Sequence, residues 1–287
     1  MTDDRQGRGT VRNETGEQQG RGGRRLFIQS WLPDGEARAA VVLAHGLAEH
    51  SGRYGELVAR LTARQLAVYT LDHRGHGRST GARAYIESFD WLVDDLTQRI
   101  RAARAQQPGR RLFLIGHSLG GAAALLAALD HPELVDRLVL SAPAVGADPD
   151  IPRARLAVAQ LLSALAPIVG ILKLPAAAIS RDPFIVRNYE NDPLVYRGSI
   201  PARTVIELLG AMQRIGQRAA QLRTPTLVLH GTADALVPLK LAQPVYARLR
   251  APDLTVKLYE GLFHEIFNEP ERDRVFADLE AWLDAHA

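Results

Sequence analysis

The segment Gly116-His117-Ser118-Leu119-Gly120 sets a serine midway between two glycines. A serine hydroxyl is a weak nucleophile at neutral pH and acts only beside a base. The segment follows a short apolar run, Leu112-Phe113-Leu114-Ile115, and precedes a small-residue stretch, Ala122 to Leu129. These neighbours predict a buried strand, a tight turn and a helix, the setting in which G-x-S-x-G has mechanical meaning. In such a turn glycine avoids a Cβ clash where chain segments come close. The hydroxyl is then held above the sheet, at the positive end of the following helix.

Nine histidines could supply the base. His45, His50, His73 and His76 precede the serine in loops at strand ends, and His131 and His286 lie at helix ends. His117 lies inside the turn and points away from its neighbour, and His230 ends a strand and is expected to bond locally. His264 closes the short loop Glu260-Gly261-Leu262-Phe263-His264 after the last expected strand, where it would lie over the nucleophile. The base needs a carboxylate on its other nitrogen. Asp234, in His230-Gly231-Thr232-Ala233-Asp234, follows the penultimate strand. The chain order Ser, Asp, His is that of α/β hydrolases. Asp72 lies on the wrong side of the serine and reads as a loop-fixing acceptor, while Glu265 and Glu269 are too near His264 in sequence to orient it easily. An oxyanion needs donors already in place. The expected pair is the N–H of Leu119 and that of Leu47, in His45-Gly46-Leu47-Ala48.

The elements that must position these residues alternate. Strands are expected at Arg25 to Trp31, Val41 to Ala44, Ala67 to Leu71, Leu112 to Ile115, Leu138 to Leu140, Thr226 to Leu229 and Leu254 to Tyr259. Helical spacing occupies Tyr54 to Arg64, Trp91 to Ala105, Ala122 to Leu129, Leu239 to Leu249 and Glu271 to Ala285. Strands alternating with helices imply an α/β fold with a mostly parallel sheet covered on both faces. The alternation stops between about Ala144 and Ile215, where prolines at 152, 167, 175, 183, 193 and 201 break apolar helical segments. The resulting division is a core of residues 24–143 and 216–287, with a mainly helical cap insertion at 144–215.

Residues 1–23 are mostly Gly, Arg, Gln, Glu and Asp and carry no core-forming pattern, so they are expected to be a disordered tail. They hold no apolar signal segment. The 287 residues contain no cysteine, which removes disulfides and thiolate chemistry and fits a reducing cytoplasm. The formal charge is only +3, with no stripe of basic and aromatic residues, so nucleic acid is not an expected partner. Leu156 to Leu172, the most apolar stretch, is interrupted by Gln160, Ser163, Pro167 and Gly170 and falls short of a membrane span. No H-E-x-x-H, P-loop or dinucleotide fingerprint occurs, and the chemistry requires no metal or organic cofactor.

With these residues in place, the chain resembles the monoacylglycerol lipase family of α/β hydrolases. The resemblance is carried by His45-Gly46-Leu47-Ala48-Glu49-His50-Ser51-Gly52-Arg53-Tyr54, Asp72-His73-Arg74-Gly75-His76-Gly77-Arg78-Ser79, Gly116 to Gly121, Asn191-Asp192-Pro193-Leu194, His230 to Asp234 and Tyr259 to Glu265. It implies a lipase or esterase that cleaves monoacylglycerol, with the insertion lining an acyl channel. It also implies that His45 and Gly46 belong to the substrate-facing loop, and that Glu49, Arg53, His117 and Tyr189 form a polar wall near the glycerol group. Two positions depart from the commoner family pattern. Ala48 replaces a frequent glycine and Leu119 a frequent methionine. Neither removes a backbone donor, but Ala48 matters if that position needs a positive φ.

The apolar insertion (Leu161, Leu162, Leu165, Ile168, Val169) fits both packing on the core and an acyl-binding wall that touches lipid surfaces. The expected partner is therefore a monoacylglycerol or similar lipid ester, met in the cytoplasm or by peripheral contact with a lipid surface. Alternative activities are lysophospholipase, general carboxylesterase and acyltransferase; a binding protein that keeps the fold without turnover is disfavoured by the complete triad.

Overall fold

The computed structural model describes residues 11–287. In chain order its strands are β1 (Arg12–Gln19), β2 (Arg25–Leu32), β3 (Ala39–Ala44), β4 (Leu66–Leu71), β5 (Arg111–His117), β6 (Arg137–Ser141), β7 (Gly170–Leu172), β8 (Ile200–Pro201), β9 (Thr226–Gly231) and β10 (Leu254–Tyr259). The helices are α1 (Gly55–Ala63), α2 (Phe89–Gln106), α3 (Ser118–Asp130), α4 (Arg153–Leu165), α5 (Pro183–Asn191), α6 (Ala202–Arg218), α7 (Leu239–Tyr246) and α8 (Arg272–His286).

Eight strands form one sheet in the order β1-β2-β4-β3-β5-β6-β9-β10. From β4 to β10 every pairing is parallel; β1 and β2 are antiparallel additions at one edge. β3 and β4 are buried along their whole length, which is why both read as continuous apolar runs. Their side chains still alternate between two cores. Val41 and Leu43 pack with Leu57 and Leu61 of α1 and with Phe276 and Leu279 of α8. Val42 and Ala44 pack on the opposite face with Leu92 and Leu96 of α2 and with the small residues of α3. Apart from Tyr189, which lies in α5, the candidate site residues lie at or just beyond the carboxyl ends of the parallel strands β3, β5, β9 and β10, where open α/β sheets hold their ligands.

One expectation is overturned. Within the supposed tail of residues 1–23, Arg12 to Gln19 form β1, paired in register with β2 from Arg12↔Leu32 to Gln19↔Arg25. Of its side chains only Gln18 is buried. The strand is thus held by its backbone ladder and by polar ties: Gln18 Nε2 donates to the Asp95 carbonyl at 2.9 Å, and Asp95 Oδ1 accepts the Arg21 N–H at 2.9 Å. Hydrophobic patterning carries no signal of such a strand. The expectation for residues 1–10 lies outside the described residues.

The segment between β6 and β9 holds α4, the short antiparallel ribbon β7–β8, α5 and α6. α6 runs past residue 215, and its Ala211 and Ile215 are buried in the main core beside α3. No helix among the described residues is long and apolar enough to cross a membrane.

Candidate active site

β5 delivers the chain to Ser118 and α3 begins at once. Ser118 has φ 53°, in the left-handed region that L-residues rarely occupy. A Cβ on Gly116 would lie 2.5 Å from the Gly120 carbonyl oxygen, and one on Gly120 only 2.3 Å from that of Ala44. Both glycines are therefore demanded by close approach.

The loop after β9 presents Asp234, and the loop after β10 presents His264. His264 Nδ1 lies 2.7 Å from Asp234 Oδ2. The other oxygen, Oδ1, accepts the Leu236 and Val237 N–H groups at 2.9 and 2.8 Å. Burial by itself would raise the Asp234 carboxyl. His264, hydrogen bonds from His230 and His264, and the Val237 N–H outweigh it and hold the acid well below the usual carboxylate range. His230 does bond locally, to Tyr246 Oη at 2.7 Å and the Val237 carbonyl at 2.9 Å. It also reaches Asp234 Oδ2 at 3.3 Å, a second brace on the acid that its strand-end position did not signal. Ser118 and His264 line the same two cavities, and Asp234 is hydrogen-bonded to His264.

The loop after β3 passes beside Ser118. A Cβ on Gly46 would approach Ser118 Cβ to 3.3 Å. Leu47 lines both cavities, and Leu119 is the second residue of α3, where a helix N–H has no carbonyl a turn earlier to bond. His45 Nδ1 lies 2.7 Å from the Gly46 carbonyl, and its Nε2 accepts the His73 N–H at 2.9 Å, which assigns the ring proton to Nδ1. Ala48 has φ 69°. The position that commonly carries glycine does need a positive φ, and alanine occupies it here. Its methyl is buried in a small cluster with Ala84 and Ile200. Burying that group contributes about 0.8 kcal/mol, which offsets much of the roughly 1–2 kcal/mol that a left-handed backbone costs an L-residue.

One cavity is polar. Glu49 Oε1 accepts the Gly46 N–H at 2.6 Å and the Tyr54 hydroxyl at 2.5 Å, and Oε2 accepts from Arg53 at 2.7 Å. Burial favours the protonated form of Glu49, but Arg53, His117 and these hydrogen bonds lower its pKa. Arg53 also forms a paired contact with Glu265, at 2.5 and 2.8 Å, and its guanidinium lies 4.8 Å from the centre of the Tyr189 ring. Sequence proximity to His264 makes Glu265 a poor competitor for the acid, and no local pattern signals its role as the second carboxylate on Arg53. Asp72, by contrast, fixes loops as expected, accepting from Ser51 and the Arg78 N–H. The His117 ring sits 4.7 Å from that of His264, with Nδ1 within 3.1 Å of the Ser141 carbonyl. Burial, then His264, lower His117 to about 4, so it is neutral at pH 7.

The other cavity is apolar. It has a volume of about 180 Å³ and runs from Ser118 between Leu119, Leu174, Leu208 and Met212. Leu172, Val205 and Leu209 of the insertion also line a second apolar cleft against α4, so the two spaces share a wall. Among the described residues no cluster of His, Asp or Glu is arranged to hold a metal ion.

Comparison with known proteins agrees with this geometry. Residues 35–271 match the family model described as serine aminopeptidase, S33. A monoacylglycerol lipase of Mycolicibacterium smegmatis is 40% identical over 267 residues, covering 93% of this chain and 95% of that protein. The monoglyceride lipase of Homo sapiens is 34% identical over 264 residues, covering 91% and 87%. The crystal structure of Paleococcus ferrophilus monoacylglycerol lipase superimposes with a TM-score of 0.81 at 32% identity, covering 91% of this chain and 99% of that one. The chain belongs to the serine aminopeptidase S33 family of α/β hydrolases and, within it, to the monoacylglycerol lipases.

Proposed function

We propose that this chain hydrolyses monoacylglycerols to glycerol and a free fatty acid through an acyl-enzyme on Ser118. His264 Nε2 takes the Ser118 proton as Oγ attacks the ester carbonyl. The N–H groups of Leu47 and Leu119 hold the tetrahedral oxyanion. His264 protonates the departing glycerol oxygen, and water, deprotonated by His264, then releases the fatty acid. Asp234 keeps the His264 proton on Nδ1 and stabilises the imidazolium.

The observation that carries this reading is the junction at Ser118 of two unlike cavities. One is lined by Glu49, His117, Tyr189 and Glu265, the other by aliphatic side chains. The polar groups of the first, a space of about 20 Å³, suit the hydroxyls of a small polyol once it widens, and the second, of about 180 Å³, suits an acyl chain. The polar groups orient the alcohol, and each methylene buried in the apolar space adds about 0.8 kcal/mol. Two relatives at 40% and 34% identity are named as lipases of this substrate.

The segment between β6 and β9, apart from the core-packed residues Ala144, Val145, Ala211 and Ile215, acts as the cap. Its Leu161, Leu165, Ile168 and Phe184 are exposed by 58%, 76%, 67% and 59%. Such an apolar patch suits contact with the lipid surface that supplies the substrate. Fluorophosphonate labelling of Ser118 and release of fatty acid from monoacylglycerol, both lost in Ser118→Ala, test the enzyme. Retained turnover in Ser118→Ala refutes it. Preferential release from lysophosphatidylcholine, or from nitrophenyl esters alone, transfers the assignment to a phospholipase or a general esterase.

A further inference from the structure

The oxyanion loop is tied to the cap by two contacts that the proposed mechanism does not use. The Tyr196 N–H donates to the Ala48 carbonyl at 2.8 Å. His50 Nε2 lies 2.8 Å from Asp192 Oδ2. His50 Nδ1 accepts the Gly52 N–H, so the ring proton is on Nε2 and points at the carboxylate. The remaining Asp192 oxygen, Oδ1, accepts the Leu194 N–H at 2.8 Å. Burial favours the neutral acid, but the His50 and Leu194 hydrogen bonds lower its pKa and keep Asp192 ionised.

The loop needs such ties. Ala48 holds a left-handed backbone at φ 69°, which alanine does not favour by itself. Leu47, whose N–H is the proposed oxyanion donor, immediately precedes it. On the core side the loop is held by His45 on the Gly46 carbonyl and by Glu49 on the Gly46 N–H. On the other side the holding groups, Asp192 and Tyr196, both belong to the cap. We propose that Asp192 is a positioning residue for the oxyanion hole: through His50 it holds the Ala48 turn, and so the Leu47 N–H, in the orientation the tetrahedral intermediate requires. The cap segment 192–196 is thus part of the frame that holds the oxyanion loop. This inference rests on the assignment of Leu47 and Ser118 made above.

The chemistry of the pair gives a discriminating series. Asn at position 192 is isosteric, and its single oxygen can keep the Leu194 bond. Its amino group then faces His50 Nε2–H, donor against donor, and the ring cannot switch tautomer while Nδ1 accepts from Gly52. Gln at position 50 retains an amide N–H2 near the place of Nε2. The assay is hydrolysis of p-nitrophenyl butyrate, which has no glycerol to engage Glu49. Asp192→Asn and His50→Ala are expected to lower kcat about tenfold with KM little changed, a fraction of the ~10²–10³ that loss of a whole oxyanion donor costs. Affinity for a boronic acid, which forms a tetrahedral adduct, should fall in parallel, while affinity for the product fatty acid stays constant. His50→Gln should retain most of kcat, and the His50→Ala/Asp192→Asn double variant should be no worse than either single one. A folded Asp192→Asn with parental kcat and boronate affinity, or a change in KM alone, overturns the proposal. Should Asp192→Asn not fold, the His50 pair decides: equal loss in His50→Gln and His50→Ala overturns it. Turnover that survives Ser118→Ala defeats the hydrolase reading instead, a result separable from any of these.

Discussion

Replacing Asp234 with asparagine exchanges one oxygen for an amino group without changing the shape of the side chain. The surrounding donors dictate how the new amide sits. Oδ1 accepts two backbone N–H groups, from Leu236 and Val237, so the remaining oxygen must stay there. The amino group then faces His264 Nδ1, 2.7 Å away in the parent, and two donors cannot share that space. His264 is forced to the tautomer protonated on Nε2, the nitrogen that must be empty to take the Ser118 proton. For a triad disabled in this way kcat falls about 10⁴-fold, or roughly 5.5 kcal/mol in the barrier at ~1.4 kcal/mol per factor of ten. Steady-state hydrolysis of a nitrophenyl ester and the rate of fluorophosphonate labelling should fall together. Nitrogen NMR of the imidazole should show the proton moved from Nδ1 to Nε2. A folded Asp234→Asn enzyme with more than about one hundredth of parental kcat would refute the reasoning, because loss through the wrong tautomer is far larger than that.

Burial lowers the pKa of His45, His73, His76 and His117, with His76 and His117 near 4, so the folded chain binds fewer protons than the unfolded one below about pH 6.5. Stability is therefore expected to fall as pH drops from 6.5 toward 4, by about 1.4 kcal/mol per pH unit for each such histidine; urea unfolding should show a shallower slope in His117→Gln, and an unchanged slope would contradict the assignment. At position 48, glycine should leave stability within about 1 kcal/mol of the parent, since lost methyl burial and gained chain entropy oppose relief of the left-handed backbone. Valine there should be destabilising by more than about 1 kcal/mol and should lower kcat, because a branched Cβ tolerates that φ poorly; a neutral Ala48→Val would show that the turn is not constrained. Leu209 lines both apolar spaces, so Leu209→Phe should shift the substrate profile toward shorter acyl chains, about 0.8 kcal/mol in apparent binding for each methylene excluded. A profile that keeps its chain-length optimum would place the acyl group elsewhere.

The buried strands and the helices of the core were legible because their signals are local. Leu254 to Tyr259 was bounded to the residue, and the helix at Glu271 to Ala285 was displaced by only one position at each end. Edge strand β1 was not legible, since its stability comes from pairing with β2 and leaves no apolar period behind. The insertion between β6 and β9 is legible as an interruption of the alternation, but its ribbon β7–β8, of three and two residues, is too short to leave a pattern.

At the site, chain order and strand-end placement single out Ser118, Asp234 and His264 as candidates, because each follows a strand whose position is set by the alternation of elements. What the order of residues could not supply is which side chains pair across long separations. Glu265 meets Arg53 over 212 positions and Asp192 meets His50 over 142. Whether Ala48 sits at positive φ was equally undecided until the loop had walls, and those walls come from the core on one side and the cap on the other. Local periodicity records what a segment buries; the partner of a buried charge depends on how distant segments fold together, and only tertiary structure decides that.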